Sequence, residues 1–145
     1  MICVIQRVQS AQVLVKKIVC AEIGVGLLAL VGIERRDEFC KIEKMVQKLL
    51  SYRIFSDSKQ KMNLSLTDVG GELLLVSQFT LVADTKSGLR PGFSSAMPPE
   101  LARPFFKKFV GVAKAKYGKV YCGAFGEDMK VNLTNDGPVT FILKV

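Results

Sequence analysis

The chain has 145 residues, 49% of them hydrophobic, and its 21 lysines and arginines outweigh 13 acids to leave a net charge of +8. That length suits one domain, residues 1–145, with a buried core, and the basic balance favours a polyanionic partner. Histidine is missing, which excludes a Ser-His-Asp triad, a Cys-His nucleophile pair and any histidine-held metal.

In chain order, Met1 to Gln9, Ala11 to Lys16, Ile18 to Ile23 and Leu27 to Ile33 alternate or run apolar in short blocks and predict four strands. The longest wholly apolar run, Val25 to Val31 with Gly26 inside it, falls well short of the roughly 20 residues of a membrane span. The opening Met1-Ile2-Cys3-Val4 lacks the basic start of a signal peptide, so the expectation is a cytoplasmic protein without a membrane partner. Asp37 is placed to cap a helix on which Phe39, Ile42, Val46, Leu49 and Leu50 form the buried stripe. Arg53-Ile54-Phe55 begins a short strand, Asp57 to Thr67 reads as turns, and Gly70-Gly71 precedes a strand that turns polar at Ser77, Gln78 and Thr80.

Asp84 to Met97 is a long loop with Lys86 and Arg90 near its tip. A second helix starts at Pro99 and is expected to bury Leu101, Phe105, Phe109, Val112 and Ala113, with Lys107, Lys108 and Lys114 on its wet side and a distortion at Pro104. Three strands then close the chain, at Lys119 to Ala124, Met129 to Thr134 and Val139 to Val145. Cys3, Cys20, Cys40 and Cys122 lie far apart with no Cys-x-x-Cys pair, so they read as buried or semi-buried free thiols and not as metal ligands. Neither a metal nor a cofactor is expected. Between Asp84 and Lys130 nine basic residues face four acidic ones. Without an aromatic stacking platform or an RNA-binding repeat, contact with a phosphate backbone is the better reading than base recognition.

The step Gly137-Pro138 interrupts an alternating pattern that would otherwise be one strand. Proline donates no backbone hydrogen bond and belongs at an edge, a strand start or a bulge, and a bond before proline can be cis. A plain turn between two strands is the simple interpretation. A second segment adds to it: Ser77-Gln78-Phe79-Thr80 together with Asn135-Asp136-Gly137-Pro138-Val139-Thr140 resembles the two signature motifs of the D-aminoacyl-tRNA deacylases. The resemblance runs almost end to end, through Gln6-Arg7-Val8, Gly24-Val25-Gly26-Leu27-Leu28, Arg53-Ile54-Phe55, Lys61-Met62-Asn63-Leu64-Ser65, Arg90-Pro91, Pro98-Pro99-Glu100-Leu101 and Phe125 to Val131. It departs at Lys16-Lys17, where the family often has an Asp-Gly turn.

The resemblance implies an α/β fold, a three-layer β/β/α single domain with mixed sheets, homodimeric with active sites at the subunit interface. It implies hydrolysis of the ester of D-aminoacyl-tRNA, and of glycyl-tRNA, without a cofactor. Ser77, Gln78, Phe79 and Thr80 form the implied catalytic segment. The backbone N–H groups of Phe79 and Thr80 are natural oxyanion donors, and Thr80, with no neighbouring base, is a poor nucleophile. Assistance from the substrate's own ribose hydroxyl is the favoured mechanism. Gly137 and Pro138, joined by a cis bond, are implied to enter the partner's site and exclude L side chains by clash, with Arg7 holding the motif. Met129 and Phe125 are candidates for lining the adenosine pocket, core packing being the competing reading. Two other classes stand beside this one: a basic module that binds tRNA and protects the aminoacyl end without cleaving it, and a structural β-rich dimer.

Overall fold

In the computed structural model, which describes residues 1–86 and 88–145, the chain begins with a strand longer than expected. β1 runs unbroken from Ile2–Val15, so the two strands expected up to Lys16 are one. It pairs antiparallel with β2 (Ile18–Ile23) and β3 (Gly26–Gly32). Helix α1 (Cys40–Ser51), the two-stranded ribbon of β4 (Phe55–Ser56) and β5 (Met62–Leu64), and the single turn α2 (Leu66–Val69) follow. Thus the segment expected to be turns after Asp57 contains a strand and the start of a helix. Ser65 caps that helix in a reciprocal capping box with Asp68.

Strand β6 (Glu72–Ser77) runs parallel to β3, and after α3 (Pro99–Lys116) the short β7 (Val120–Cys122) runs parallel to β6. The last element, β8 (Met129–Lys144), pairs antiparallel with β1 along nearly its whole length. The two closing strands expected on either side of Gly137-Pro138 are therefore a single strand. One six-stranded mixed sheet results, in the order β2-β1-β3-β6-β7 with β8 also on β1.

Apolar residues are buried on both faces of this sheet. Along β3 and β6, Leu27, Ala29, Leu73 and Leu75 face one cluster while Leu28, Leu74 and Val76 face another, as the period of two requires. The first cluster also takes Cys3, Ile5, Val139 and Leu143, and is closed by Ile42, Met45, Val46 and Leu49 of α1 and Phe105, Phe106 and Phe109 of α3. The second is closed by Val8, Ala11 and Val13 of β1, Ala21 and Ile23 of β2, and Met129, Val131 and Leu133 of β8. The two expected β layers are one hydrogen-bonded sheet, with β1 and β8 passing through both packing surfaces.

Several local expectations change. Asp37 does not cap α1, which starts at Cys40 without a side-chain cap. Its buried carboxylate instead accepts from the Met1 nitrogen at 2.6 Å, the Glu34 N–H at 2.7 Å and Lys41 Nζ at 2.8 Å, a use that satisfies more donors than a cap would. Helix α3 continues through Pro104 and buries Ala102 and Phe106, leaving Leu101 exposed and Val112 half-buried. All four cysteines are free, but Cys20 and Cys40 are exposed, contrary to expectation. Cys3 is buried, and desolvation pushes its thiol up to about 12. No helix among the described residues is long and apolar enough to cross a membrane.

The turn between β1 and β2 consists of Lys16 and Lys17, both at positive φ (49° and 68°), between the paired residues Val15 and Ile18. A two-residue hairpin of this kind favours asparagine and glycine, because other side chains strain there. Replacing Lys16→Asn and Lys17→Gly together is expected to raise the urea unfolding free energy by about 1 kcal/mol. An unchanged midpoint would show that the lysines carry no strain.

Candidate active site

β6 is hydrogen-bonded on both sides and ends abruptly at Ser77, where the Gln78 N–H still donates to the Val31 carbonyl at 2.8 Å. The chain then turns into a short 3₁₀ helix, Phe79–Val82. Its first internal bond runs from the Leu81 N–H to the Gln78 carbonyl. The N–H groups of Phe79 and Thr80 precede that bond and so have no acceptor within the turn. Gln78 Nε2 donates to the Thr80 hydroxyl at 2.5 Å, which ties two of the segment's three polar side chains to each other.

Ser77, Gln78 and Phe79 line a cavity of about 810 Å³. Its opposite walls come from the loop before α3, through Phe93 and Met97, from Ala102 and Arg103 in α3, and from Phe125 to Met129 ahead of β8. The Phe79 ring is more than half exposed and lies 5.1 Å from that of Phe93, centroid to centroid. The Arg103 guanidinium lies 5.0 Å over the Phe125 ring. Phe125 also packs on Phe106 at 5.8 Å, and Met129 on the second core cluster, so each of these two residues combines packing with a place in the pocket wall. The loop is pinched by two backbone bonds between Asp84 and Gly92, of 2.8 and 2.9 Å; Ser87 within it lies outside the described residues. Among those residues, no three Asp, Glu or Cys side chains gather closely enough to hold a metal ion.

Of the residues expected from the sequence, Ser77, Gln78, Phe79, Phe125 and Met129 meet at this cavity. Thr80 lies beside it without lining it. Arg7, Gly137 and Pro138 form a separate group. The Gly137-Pro138 bond is cis, and both residues are exposed at the break in the β1–β8 register between Gln6 and Val8. Arg7 is nearly buried and holds the corner from behind: Nε donates to the Asp136 carbonyl at 3.0 Å and faces its carboxylate at 3.1 Å, while a terminal nitrogen donates to the Ile54 carbonyl at 2.7 Å. Asn135 spans the corner, accepting from the Val139 N–H at 2.6 Å and donating to the Thr140 hydroxyl at 3.0 Å. Phe93 and Arg103 were not singled out from the sequence. Neither carries a local signal; each reaches the cavity only through the tertiary fold.

The D-Tyr-tRNA(Tyr) deacylase family model matches residues 4–144. The chain belongs to this family. A D-aminoacyl-tRNA deacylase of Teredinibacter turnerae is 59% identical over 140 residues, covering 97% of each chain. One of Francisella tularensis is 54% identical over 145 residues, the full length of both. A solved structure titled c-Myc DNA Unwinding Element Binding Protein superposes with a TM-score of 0.96 at 38% identity, covering 100% of this chain and 99% of that one. A probable eukaryotic D-amino acid tRNA deacylase shares the fold, with a TM-score of 0.86 at 16% identity over 99% of this chain and 98% of that one. The match to the family thus runs almost end to end, over residues 4–144.

The corner tolerates no side chain at Gly137. Its φ is +139°, and a Cβ there would lie 2.7 Å from Val139 Cγ2 and 3.2 Å from an Arg7 nitrogen. Gly137→Ala is expected to destabilise the fold by about 1–3 kcal/mol in urea titration. Gly111→Ala, at an exposed site in α3 with nothing near it, is expected to stabilise by about 0.5–1 kcal/mol.

Proposed function

We propose that the chain hydrolyses the ester linking a D-amino acid, or glycine, to the terminal ribose of tRNA, as one catalytic unit spanning residues 1–145. The observation that carries this reading is the cavity where Ser77, Gln78 and Phe79 meet Phe125 and Met129, beside two N–H groups left without acceptors in their own turn. It is large enough for a nucleoside and its ester, since ligand pockets run about 300–1,000 Å³.

The chemistry asks little of side chains. An aminoacyl ester beside a free ribose hydroxyl is already activated. Water adds to the carbonyl carbon, and the N–H groups of Phe79 and Thr80 hold the oxyanion. As the intermediate collapses, the ribose oxygen leaves with the carbonyl-carbon bond's electrons and takes up a proton relayed by the neighbouring ribose hydroxyl. Thr80 serves here as the acceptor that orients Gln78, since its hydroxyl already receives the Gln78 amide and has no base beside it.

Selectivity belongs, in this reading, to Gly137 and Pro138 acting in the pocket of a second copy. The corner is exposed and does not line its own chain's cavity. Met129 and Gly137 are eight positions apart on β8, up to roughly 25 Å of extended strand, so the corner serves a partner's pocket more readily than its own. Its carbonyls take the substrate amino group, and an L side chain meets the backbone. Glycine, lacking a side chain, passes. The protein then acts as a cytoplasmic homodimer on tRNA.

The test compares release of D-, L- and glycyl residues from tRNA at low enzyme concentration. D- and glycyl esters are expected to be cleaved and L esters spared. Arg7→Ala, which frees the Asp136 carbonyl, is expected to cut the D-over-L preference at least tenfold. Thr80→Ala is expected to keep activity within about tenfold, in the range below the 10²–10³ of an oxyanion donor. Salt-sensitive tRNA binding without ester loss would favour the protective module, and neither cleavage nor binding the structural dimer.

A further inference from the structure

Helix α3 leaves the cavity with a single-signed face. Arg103 lines the pocket, and Lys107 and Lys114 follow on the same helix. At 100° per residue these three lie within about 40° of one another and span roughly 16 Å along the axis. All three are exposed, and none forms a salt bridge among the described residues. Glu100 is the sole acid in α3. Lys108 is turned elsewhere, with Nζ 4.7 Å over the Phe39 ring. At the pocket itself the carboxylates are Glu127 and Asp128, and Asp128 accepts from Lys130 Nζ at 3.0 Å.

We propose that Arg103, Lys107 and Lys114 form a track for the phosphate backbone of the single-stranded tRNA 3′ end, running outward from the nucleoside pocket. The proposal rests on the ester-hydrolysis reading given above. Two observations carry it: the track is continuous with the cavity, and its first member is pre-positioned. The Phe125 ring, 5.0 Å from the Arg103 guanidinium carbon, holds the charge at the mouth of the cavity without occupying it in a salt bridge among the described residues, and arginine suits bidentate phosphate contact. Lys107 and Lys114 act as point charges further along. The contacts are to phosphate, so they carry position and affinity without reading bases.

The experiment pairs two substrates, D-aminoacyl-tRNA and D-aminoacyl-adenosine, which keeps the ester and nucleoside but has no phosphate. The variant Arg103→Gln, Lys107→Gln, Lys114→Gln is expected to lower kcat/KM on the tRNA ester about tenfold and to flatten the log–log salt dependence of that rate by about 2. Lys107→Gln, Lys114→Gln, which leaves Arg103 in the pocket wall, is expected to keep a severalfold loss on the tRNA ester and to match the unaltered protein within twofold on the adenosine ester. Lys44→Gln, exposed on α1 and outside the pocket, is expected to change neither. Equal loss on both esters in that double variant would make the lysines props of the pocket and overturn the proposal, as would an unchanged salt slope in the triple variant. Cleavage of neither ester by the unaltered protein would instead remove the hydrolytic reading beneath it.

Discussion

The ladder between β1 and β8 constrains everything else in this fold. It runs from Ile2 opposite Lys144 to Val15 opposite Met129, joining two ends of the chain that are far apart in sequence. Because each strand crosses from one core cluster to the other, both must change packing partners partway along. The register breaks between Gln6 and Val8 are where this happens, and the spare residues of β8 there are the ones that carry Gly137 and Pro138. Proline has no N–H to leave unpaired and glycine takes the positive φ found at Gly137, so both residues suit the unpaired stretch of β8 where the register shifts. Arg7, directly in the break, has lost its ladder partner on that side and spends its donors on the carbonyls of Asp136 and Ile54.

The same ladder carries Met129 to the pocket at its far end. One strand therefore carries both a pocket-wall residue and the Gly137-Pro138 corner, about half its length apart, and displacing it in register would shift both at once. β6 is constrained as firmly. Paired with β7 as far as Leu75 and with β3 as far as Ser77, and buried on both faces, it is held until Ser77, where the polar segment begins. Gln78 is still fastened to Val31, and the next two residues enter a turn that offers their N–H groups no acceptor.

How much of this was legible in the sequence depended on how local the cause was. Alternation marked the strands, and the apolar spacing of Ile42, Val46 and Leu49 marked α1, because burial of a face is written at fixed intervals. Pro138 read as a strand break because proline's missing donor is visible in any context; that β8 continues past it is decided by β1, which lies at the other end of the chain. Asp37 looked like a cap for the same reason. Its actual partners include the Met1 nitrogen, 36 positions away, and no local pattern can anticipate a buried carboxylate recruited across that distance. In α3, Leu101 and Val112 fit an apolar stripe, yet the sheet meets the helix one residue further round, at Ala102 and Phe106, where small and flat side chains permit close approach. Phe93 and Arg103 were invisible as site residues: a loop phenylalanine and a helix arginine acquire meaning only from the ring each rests on.

A site with no histidine and one interlocked Gln–Thr pair sets a limit on what it can do. In the proposed reading, backbone donors hold charge but move no protons, so proton transfers fall to the substrate or water. An ester next to a vicinal hydroxyl suits that division of labour. In the proposed reading, selectivity and catalysis are separate in space, since the donors sit at the end of β6 and the corner projects from β8. Changes at the corner would then alter which substrates are admitted while the donors stay in place, and a corner backed by the nearly buried Arg7 would resist rearrangement. In that reading, backbone groups at the end of β6 and at the β8 corner, and not reactive side chains, do the work.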